Sequence, residues 1–303
     1  MKLRNLAESV VVITGASSGI GRATALALAT RRAKLVLAAR DEGALESVAR
    51  ACRAAGAAHA QTVPTDVRVR DQVRDLRAEA VRVFGRIDTW MNIAGVYMMG
   101  SVEDTPAAAV SELFETNFFG VLHGVQEALT EFRPRGTGVI ISMGSLAGKL
   151  AYARASAYCA SKHAVHALHQ ALHQELRGSG IQACLIAPGT VDTPLFRHAA
   201  NYTGREIKAM PPIESAAQVV DAIIACAERP RREVVVGTGA RLAALAARLA
   251  PAVVDRLQPT MVDETHLGQE GAPTNRGNHR EPKPPHAVDG GWRSRAAAEK
   301  HSE

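Results

Sequence analysis

The sequence predicts an α/β fold, in which a doubly wound sheet of seven parallel strands carries helices on both faces. Short β-branched or apolar runs alternate with helical patterns along most of the chain, and a glycine-rich turn joins the first run to the first helical pattern. Such alternation is typical of parallel sheets, because each right-handed crossover packs its helix onto a face of the sheet. Ligands of these sheets bind beyond the carboxyl ends of the strands.

Each element is predicted from its own residue pattern. Clusters of β-branched and apolar residues predict strands at 10–14, 34–39, 60–63, 89–93, 139–143, 182–187 and 233–236. Apolar residues that recur with a period of about 3.6 predict helices at 20–30, 43–54, 107–132, 156–177 and 214–227, with a further helix that ends at residue 84.

The chain of 303 residues divides into one domain and a tail. Residues 1–258 are predicted to form a single domain, with a substrate lid at about 195–230. Residues 259–303 are rich in Pro, Gly, His and charge and lack apolar periodicity, so we predict a disordered tail. Trp292 is the one residue of this tail that we regard as a candidate to dock on the domain.

Composition limits the classes of function. The net charge is +6, but Lys and Arg residues are scattered, which argues against a nucleic-acid partner. No apolar run is long enough to span a membrane, and the N-terminus does not resemble a signal peptide. Four widely spaced cysteines suit a reducing compartment. We therefore expect a cytoplasmic protein without a metal site.

The segment 241–257 has an amphipathic pattern of its own. Leu242, Leu245 and Leu249 recur at helical spacing, and Pro251 should break or kink the helix. Three alternatives remain open: the helix covers the core, joins a contact between subunits, or associates weakly with a membrane surface.

The glycine-rich turn carries the first functional prediction. It reads Thr14-Gly15-Ala16-Ser17-Ser18-Gly19-Ile20-Gly21 and lies between the first predicted strand and helix. Glycines let a backbone approach a pyrophosphate without Cβ clashes, and a helix N-terminus offers free N–H groups. A tight turn without a ligand is the alternative. We predict a dinucleotide site formed by Gly15, Ser17, Ser18, Gly19, Ile20 and Gly21.

The end of the second strand bears on which dinucleotide is bound. A carboxylate here would bind the ribose 2′-hydroxyl of NAD, but Ala39 supplies none. Arg40 can pair with a 2′-phosphate through its planar guanidinium, and Asp41 falls outside the strand. NADP(H) is therefore favoured over NAD(H), with a solvated surface charge as the alternative reading of Arg40.

Further motifs follow the glycine-rich turn. Tyr158 and Lys162 form a Tyr-x-x-x-Lys pair, Ser145 lies thirteen residues before Tyr158, and Asn117 lies in the middle of a predicted helix. The other stretches are Asp66-Val67, Asn92-Ile93-Ala94-Gly95 and Pro188-Gly189-Thr190-Val191-Asp192-Thr193. Together with the turn, and in matching order over residues 6–236, these motifs resemble the short-chain dehydrogenase/reductase family in its roughly 250-residue form, although Ile93 replaces an Asn that is more common there.

The resemblance implies a Rossmann-type fold and a set of roles. Tyr158 would be the general acid in carbonyl reduction and the base in alcohol oxidation, while Ser145 would bind the substrate oxygen. Lys162 would hold the nicotinamide ribose and lower the pKa of Tyr158, and Asn117 would support a proton path. The cofactor-binding positions implied are Asp66, Val67, Asn92, Ala94, Gly95, Tyr158, Lys162, Pro188, Gly189, Val191 and Thr193.

Aromatic and methionine residues predict an apolar substrate pocket, which suits a hydrophobic alcohol or ketone. The alternative is that they pack the lid on the core. The resemblance also implies a homodimer or homotetramer. A catalytically silent sensor or scaffold that keeps the cofactor fold is the competing function. The predicted pocket residues are Tyr97, Met98, Met99, Tyr152, Phe196, Tyr202 and Met210.

Overall fold

The structure, a computed structural model, describes residues 4–300, without the side chains of the last two. Its centre is a seven-stranded parallel sheet in the order β7-β6-β5-β4-β1-β2-β3. The order reverses next to β1, where the carboxyl ends of β1 and β4 leave a crevice. The strands are β1 (Val10–Thr14), β2 (Lys34–Ala39), β3 (His59–Pro64), β4 (Thr89–Asn92), β5 (Thr137–Met143), β6 (Gly180–Pro188) and β7 (Glu233–Val236). This confirms the predicted fold class.

Helices cover both faces of the sheet. Their bounds are α1 (Gly19–Ala29), α2 (Glu42–Ala54), α3 (Arg70–Phe84), α4 (Ala107–Phe114), α5 (Gly120–Arg135), α6 (Ser156–Glu175) and α7 (Ala216–Glu228). Alternate strand residues point to opposite faces. In β1, Val11 and Ile13 pack with α1, α2 and α7, whereas Val10 and Val12 pack with α3, α5 and α6.

The long helix predicted at 107–132 is interrupted. A π-helical turn, Glu115–Phe119, separates α4 from α5 and contains Asn117. Short π-helical segments inside α-helices are often found at functional sites. Apolar periodicity alone does not reveal such a turn, because one extra residue scarcely changes the pattern.

The tail predicted to be disordered is instead packed against the domain over its described part. The helices α8 (Thr238–Leu249) and α9 (Pro251–Thr265) are followed by a strand, Leu267–Gly271, which pairs with Arg205–Ile207. Residues 276–293, here named the C-terminal strap, then cross the carboxyl-end crevice and lead into α10 (Trp292–Lys300).

Polar contacts, which the composition did not reveal, hold the strap. The carboxylate of Asp192 accepts hydrogen bonds from the backbone N–H groups of Gly290, Trp292 and Arg293, at 2.9–3.1 Å. The Trp292 side chain is 4% exposed, and its indole N–H donates to the carbonyl of Thr193. The docking of Trp292 considered above is therefore found in the structure.

The leucines of α8 do not cover the core. Leu242, Leu245 and Leu249 are 68%, 52% and 73% exposed, and Val253 and Leu257 on α9 are exposed beside them. The alternative that this helix covers the core is therefore wrong for its leucine side chains. Within the described part of the chain, no helix has the length and apolar character needed to cross a membrane.

Candidate active site

The glycine-rich turn has a shape that only glycine permits. Gly15 and Gly19 have φ values of +72° and +51°, in the left-handed region. A Cβ on Gly21 would lie 2.1 Å from the Gly15 carbonyl oxygen, and one on Gly15 would lie 2.6 Å from the Ala94 nitrogen. The turn therefore packs closely against the start of α1 and the residues just after β4, and forms a cradle at the N-terminus of α1.

The N-terminus of α1 faces this cradle. Ser18 is its N-cap residue, and its side chain makes no capping hydrogen bond. The first N–H groups of a helix have no partner within the helix and attract anions. The Gly19 N–H already donates to the Ala287 carbonyl of the strap at 2.8 Å. The diphosphate of a dinucleotide could bind the next free N–H groups of this turn, and could reach the Gly19 N–H once the Ala287 carbonyl moves away.

Ser145, Tyr158 and Lys162 meet in the same cleft as this turn. Ser145 follows β5, while Tyr158 and Lys162 lie one turn apart at the start of α6. Both α6 side chains are buried, at 8% and 4% exposure. The ammonium of Lys162 donates to the Met143 carbonyl at 3.0 Å and lies 5.8 Å from the centre of the Tyr158 ring.

Burial dominates the proton affinities here. It raises the pKa of Tyr158 to about 12, although a hydrogen bond with Ser145 acts in the opposite direction. Burial also lowers the pKa of Lys162 to about 8. We expected Lys162 to lower the pKa of Tyr158, but in the protein alone this pKa is raised. Burial disfavours the charged phenolate by more than the neighbouring groups favour it.

Asn117 braces the loop after β4. Its Oδ1 accepts from the Val96 N–H at 2.9 Å, and its Nδ2 donates to the Val96 carbonyl and to Ser161. A Cβ on Gly95 would lie 3.4 Å from Asn117 Oδ1 and 3.8 Å from Lys162 Nζ. The amide therefore ties this loop to α6 directly behind the Tyr-x-x-x-Lys pair.

Most of the predicted site residues line the cleft, but Asn92 and Asn117 lie behind it. Asn92 is buried between strands, where its Nδ2 donates to Ser142 and its Oδ1 accepts from the Trp90 indole. Its contacts join β4 to β5. The predicted residues that line the cleft are Gly15, Ser17, Ser18, Gly19, Ile20, Gly21, Arg40, Asp66, Val67, Ala94, Gly95, Ser145, Tyr158, Lys162, Pro188, Gly189, Val191 and Thr193.

The far end of the cleft, at the carboxyl ends of β2 and β3, is strongly charged. Arg68 binds the Asp66 carboxylate with Nε and Nη2, and Arg40 lies close to both groups. Burial would raise the pKa of Asp66, but the hydrogen bonds from Arg68 outweigh it and lower that pKa. The Nη atoms of Arg40 donate to three strap carbonyls, those of Asn278, His279 and Arg280.

The end of the cleft next to Tyr158 is mainly apolar. Tyr97, Tyr152, Phe196 and Met210 line it, as predicted. The Tyr97 ring meets the Tyr158 ring edge-on, with centroids 4.6 Å apart. Three other predictions are wrong: Met98 and Met99 are buried in the core, and Tyr202 lines a separate pocket near α4.

His266 belongs to this pocket and was missed. Its Nδ1 faces the Lys208 carbonyl, an acceptor, so Nδ1 carries the proton, and Nε2 accepts from the Tyr97 hydroxyl at 2.7 Å. Burial lowers the pKa of His266 to about 4, which keeps the ring neutral near pH 7. The strap adds Asn278, Pro282, Lys283 and His286 to the cleft. No motif in the sequence marks these residues.

Comparison with known proteins gives the family. The model of the short chain dehydrogenase family matches residues 9–202. The uncharacterized oxidoreductase YxnA of Bacillus subtilis is 35% identical over 263 residues, covering 85% of this chain and 73% of that protein. Dehydrogenase/reductase SDR family member 7B of Danio rerio is 31% identical over 266 residues, covering 84% of this chain and 85% of that protein.

Solved structures agree. A short-chain dehydrogenase/reductase from Burkholderia phymatum, crystallised in complex with NAD, is 30% identical with a TM-score of 0.72 and covers 85% of this chain and 97% of its own. A short-chain type dehydrogenase/reductase from Mycobacterium marinum is 26% identical with a TM-score of 0.69, covering 78% and 96%.

The cradle above β1 and the buried Tyr–Lys pair define a class of proteins that oxidise or reduce a substrate with a nicotinamide dinucleotide. The chain belongs to the short-chain dehydrogenase/reductase family and is an NAD(P)-dependent oxidoreductase. In the described part of the chain, no three His, Cys, Asp or Glu side chains are grouped as a metal ion would require.

Proposed function

We propose that this enzyme interconverts a hydrophobic alcohol and its carbonyl compound, a secondary alcohol with its ketone or a primary alcohol with its aldehyde, with Tyr158 as the acid or base. One observation supports the proposal above the others. The Tyr158 hydroxyl, the Ser145 hydroxyl and the Lys162 ammonium converge at the carboxyl end of the sheet, in one cleft with the glycine cradle. A protein that only binds the dinucleotide needs no such convergence, which disfavours the sensor or scaffold alternative.

Ser145 and Tyr158 would act on the substrate oxygen while the hydride is transferred. The bound dinucleotide supplies or accepts the hydride. Ser145 holds the substrate oxygen within reach of Tyr158, which donates its proton as the carbonyl is reduced and takes it back in the reverse direction. Since its pKa is about 12, Tyr158 is protonated near neutral pH and ready to act as the acid.

Lys162 would bind the nicotinamide ribose. Of the groups that the structure describes, only the Met143 carbonyl accepts a hydrogen bond from its ammonium. An ammonium has three N–H donors, so two remain for ribose hydroxyls. Asn117 would act indirectly, by keeping the loop at Gly95 close to Lys162.

For the cofactor, we propose that NADP(H) is preferred over NAD(H). Ala39 at the end of β2 offers no carboxylate for a 2′-hydroxyl, and the half-buried guanidinium of Arg40 lines the cleft one residue later. Arg68 lies beside it, although it is paired with Asp66. A 2′-phosphate would gain charge-assisted hydrogen bonds at this position.

The apolar pocket supports a hydrophobic substrate. Tyr97, Tyr152 and Phe196 surround the space next to the Tyr158 hydroxyl, and Met210 and Leu195 complete the wall. We also propose a homodimer or homotetramer in which the helical segments 107–132 and 156–177 pair between subunits, as the family resemblance implies.

The test compares Tyr158→Phe with Tyr152→Phe in a screen of hydrophobic ketones and alcohols. Both tyrosines line the same cleft, Tyr158 buried and Tyr152 half-buried, and burial raises the pKa of both hydroxyls. We expect Tyr158→Phe to lose about 10²–10⁴ in kcat while dinucleotide binding is kept, and Tyr152→Phe to stay within about tenfold of wild type. Equal activity of both variants would contradict the role of Tyr158. A wild-type protein that binds the dinucleotide but turns over no substrate would favour the sensor.

A further inference from the structure

We infer that the C-terminal strap competes with a 2′-phosphate for Arg40 and thereby sets the preference between the two nicotinamide dinucleotides. The inference rests on the proposed role of Arg40 in binding NADP(H). It concerns three backbone carbonyls of the strap, which no family motif assigns to the site.

The first support is the state of the Arg40 guanidinium. Its Nη1 donates to the carbonyls of His279 and Arg280, both at 3.0 Å, and its Nη2 donates to the Asn278 carbonyl at 2.7 Å. A guanidinium has four N–H bonds on its Nη atoms and one on Nε. Three of the four Nη bonds are therefore already used. A 2′-phosphate could use the full planar guanidinium only after the strap carbonyls move away.

The second support is that the neighbouring cation is engaged in the same way. Arg68 donates from Nη1 to the His279 carbonyl at 3.0 Å, so two guanidinium groups converge on one strap oxygen. Carbonyl oxygens carry only partial negative charge, whereas phosphate oxygens make stronger, charge-assisted hydrogen bonds. A 2′-phosphate can therefore displace the carbonyls from Arg40. The binding free energy that it gains is reduced by the hydrogen bonds that Arg40 loses to the strap. A 2′-hydroxyl has no charge to compete with them.

The third support is that the strap has further anchors on both sides of residues 278–280, in addition to the contact of Ala287 with the Gly19 N–H. Before these residues, Asn275 and Asn201 exchange two backbone hydrogen bonds of 2.9 Å. After them, Asp192 binds the N–H groups at residues 290, 292 and 293.

Residues 278–280 have side-chain contacts of their own, because the buried His279 ring contacts the Tyr97 carbonyl and Arg280 pairs with Glu112. Their carbonyls therefore leave Arg40 only when these contacts yield, while the anchors on either side keep the strap attached. A substitution that disturbs the path of the strap just before residue 278 should weaken its hold on Arg40.

Gly277 is the position for such a substitution, because the atoms nearest to it belong to residues 198–200 and not to the glycine-rich turn. Its φ is +56°, and a Cβ there would lie 2.4 Å from the Ala200 nitrogen and from the His198 carbonyl oxygen. In Gly277→Val, the strap cannot keep its path next to residues 278–280. The matched control is Gly178→Val, at a glycine with φ +81° and no atom within 4 Å of the added Cβ.

The experiment measures dissociation constants for NADPH and NADH by calorimetry in the full-length chain. For Gly277→Val we expect NADPH to bind about tenfold more tightly, roughly the worth of one or two hydrogen bonds, with NADH changed less than about threefold. Gly178→Val should leave both constants at their wild-type values. Equal tightening of both dinucleotides, or weaker binding of NADPH, would overturn the inference.

Two further measurements separate this inference from the proposed function. If Arg40→Met weakens NADPH while Gly277→Val changes nothing, the strap inference fails and the role of Arg40 stands. If Arg40→Met leaves NADPH unchanged in both backgrounds, the proposed cofactor preference fails. In wild-type protein, NADPH but not NADH should speed tryptic cleavage after Arg280. Equal cleavage with both would contradict the inference even if Gly277→Val does not fold.

Discussion

The cleft has two walls that differ in how the sequence specifies them. The inner wall is the glycine turn, the strand ends and the start of α6, and the outer wall is the C-terminal strap. On the inner wall the residue type is dictated by geometry: a Cβ on Gly21 would overlap the Gly15 carbonyl oxygen. On the outer wall, Arg40 meets backbone carbonyls, which any residue could supply. Motifs therefore reveal the first wall and not the second.

The largest difference between the walls should appear on substitution of glycine. Gly21→Ala places a Cβ 2.1 Å from a backbone oxygen that cannot move without opening the turn. We expect a loss of dinucleotide binding and a stability lower by about 1–3 kcal/mol or more, as for overpacking. Gly43→Ala, in the first turn of α2 with no atom closer than 3.5 Å to the added Cβ, is the control for a helical glycine without a clash. Titration calorimetry measures the dinucleotide affinity of the variants, and thermal unfolding measures their stability. Unchanged binding in Gly21→Ala would contradict the assignment of the cradle.

The second prediction concerns the buried ammonium of the inner wall. Its pKa is lowered to about 8, so the unfolded chain binds more protons than the folded one between about pH 8 and 10.5. Stability should therefore rise with pH over that interval. Lys162→Met should abolish this rise and, near pH 7, stabilise the fold by about 1–3 kcal/mol, at the expense of turnover. Urea unfolding of both proteins at pH 7 and 9.5 measures the free energy of unfolding. A Lys162→Met variant that is less stable than wild type at pH 7 would argue against the buried charge.

The same pKa predicts a limit on cofactor binding. The ammonium is charged below about pH 8 and loses its charge as the pH rises through that value. Dinucleotide affinity should fall above about pH 8 in wild type and be nearly independent of pH in Lys162→Met. An affinity that stays constant from pH 7 to 10 in wild type would place the ribose contact on another residue.

On the outer wall we expect smaller effects. Asp192→Asn removes the charge that holds three backbone N–H groups of the strap, which is worth about 1–3 kcal/mol locally. Trypsin should then cut the strap faster, while the main unfolding transition shifts little. Asp263→Asn, which removes an exposed ion pair with Arg154, is the matched control. Equal cleavage of the two variants would show that Asp192 does not anchor the strap.

The smallest effect is expected at the pocket residue that the tail supplies. His266→Phe keeps the ring volume but removes the acceptor for the Tyr97 hydroxyl. Since Tyr97 packs on Tyr158, substrate positioning should suffer, and we expect KM to rise by about three- to tenfold with kcat changed less. A larger effect on kcat than on KM would instead give His266 a part in the proton transfer.

These contrasts explain how much the sequence could predict. The sheet and its flanking helices follow from apolar periodicity, and the cradle and the Tyr–Lys pair follow from residue types at fixed spacing. The π-helical turn at Asn117 and the positions of Met98, Met99 and Tyr202 depend on tertiary packing. The strap is held mainly by its own backbone groups, which bond to Asp192 and Arg40. Backbone bonds leave no mark on composition, so a segment rich in Pro, Gly and charge was predicted to be disordered.

The proton of Tyr158 is central to the proposed chemistry. Difference absorbance of wild type minus Tyr158→Phe near 295 nm follows its ionisation directly, with and without NADP⁺. The pKa of about 12 predicts no phenolate signal up to about pH 10 in the protein alone, and the positive nicotinamide should move the signal to lower pH. A phenolate already present near pH 7 without the dinucleotide, or a titration that NADP⁺ leaves unchanged, would contradict the proposed acid–base role.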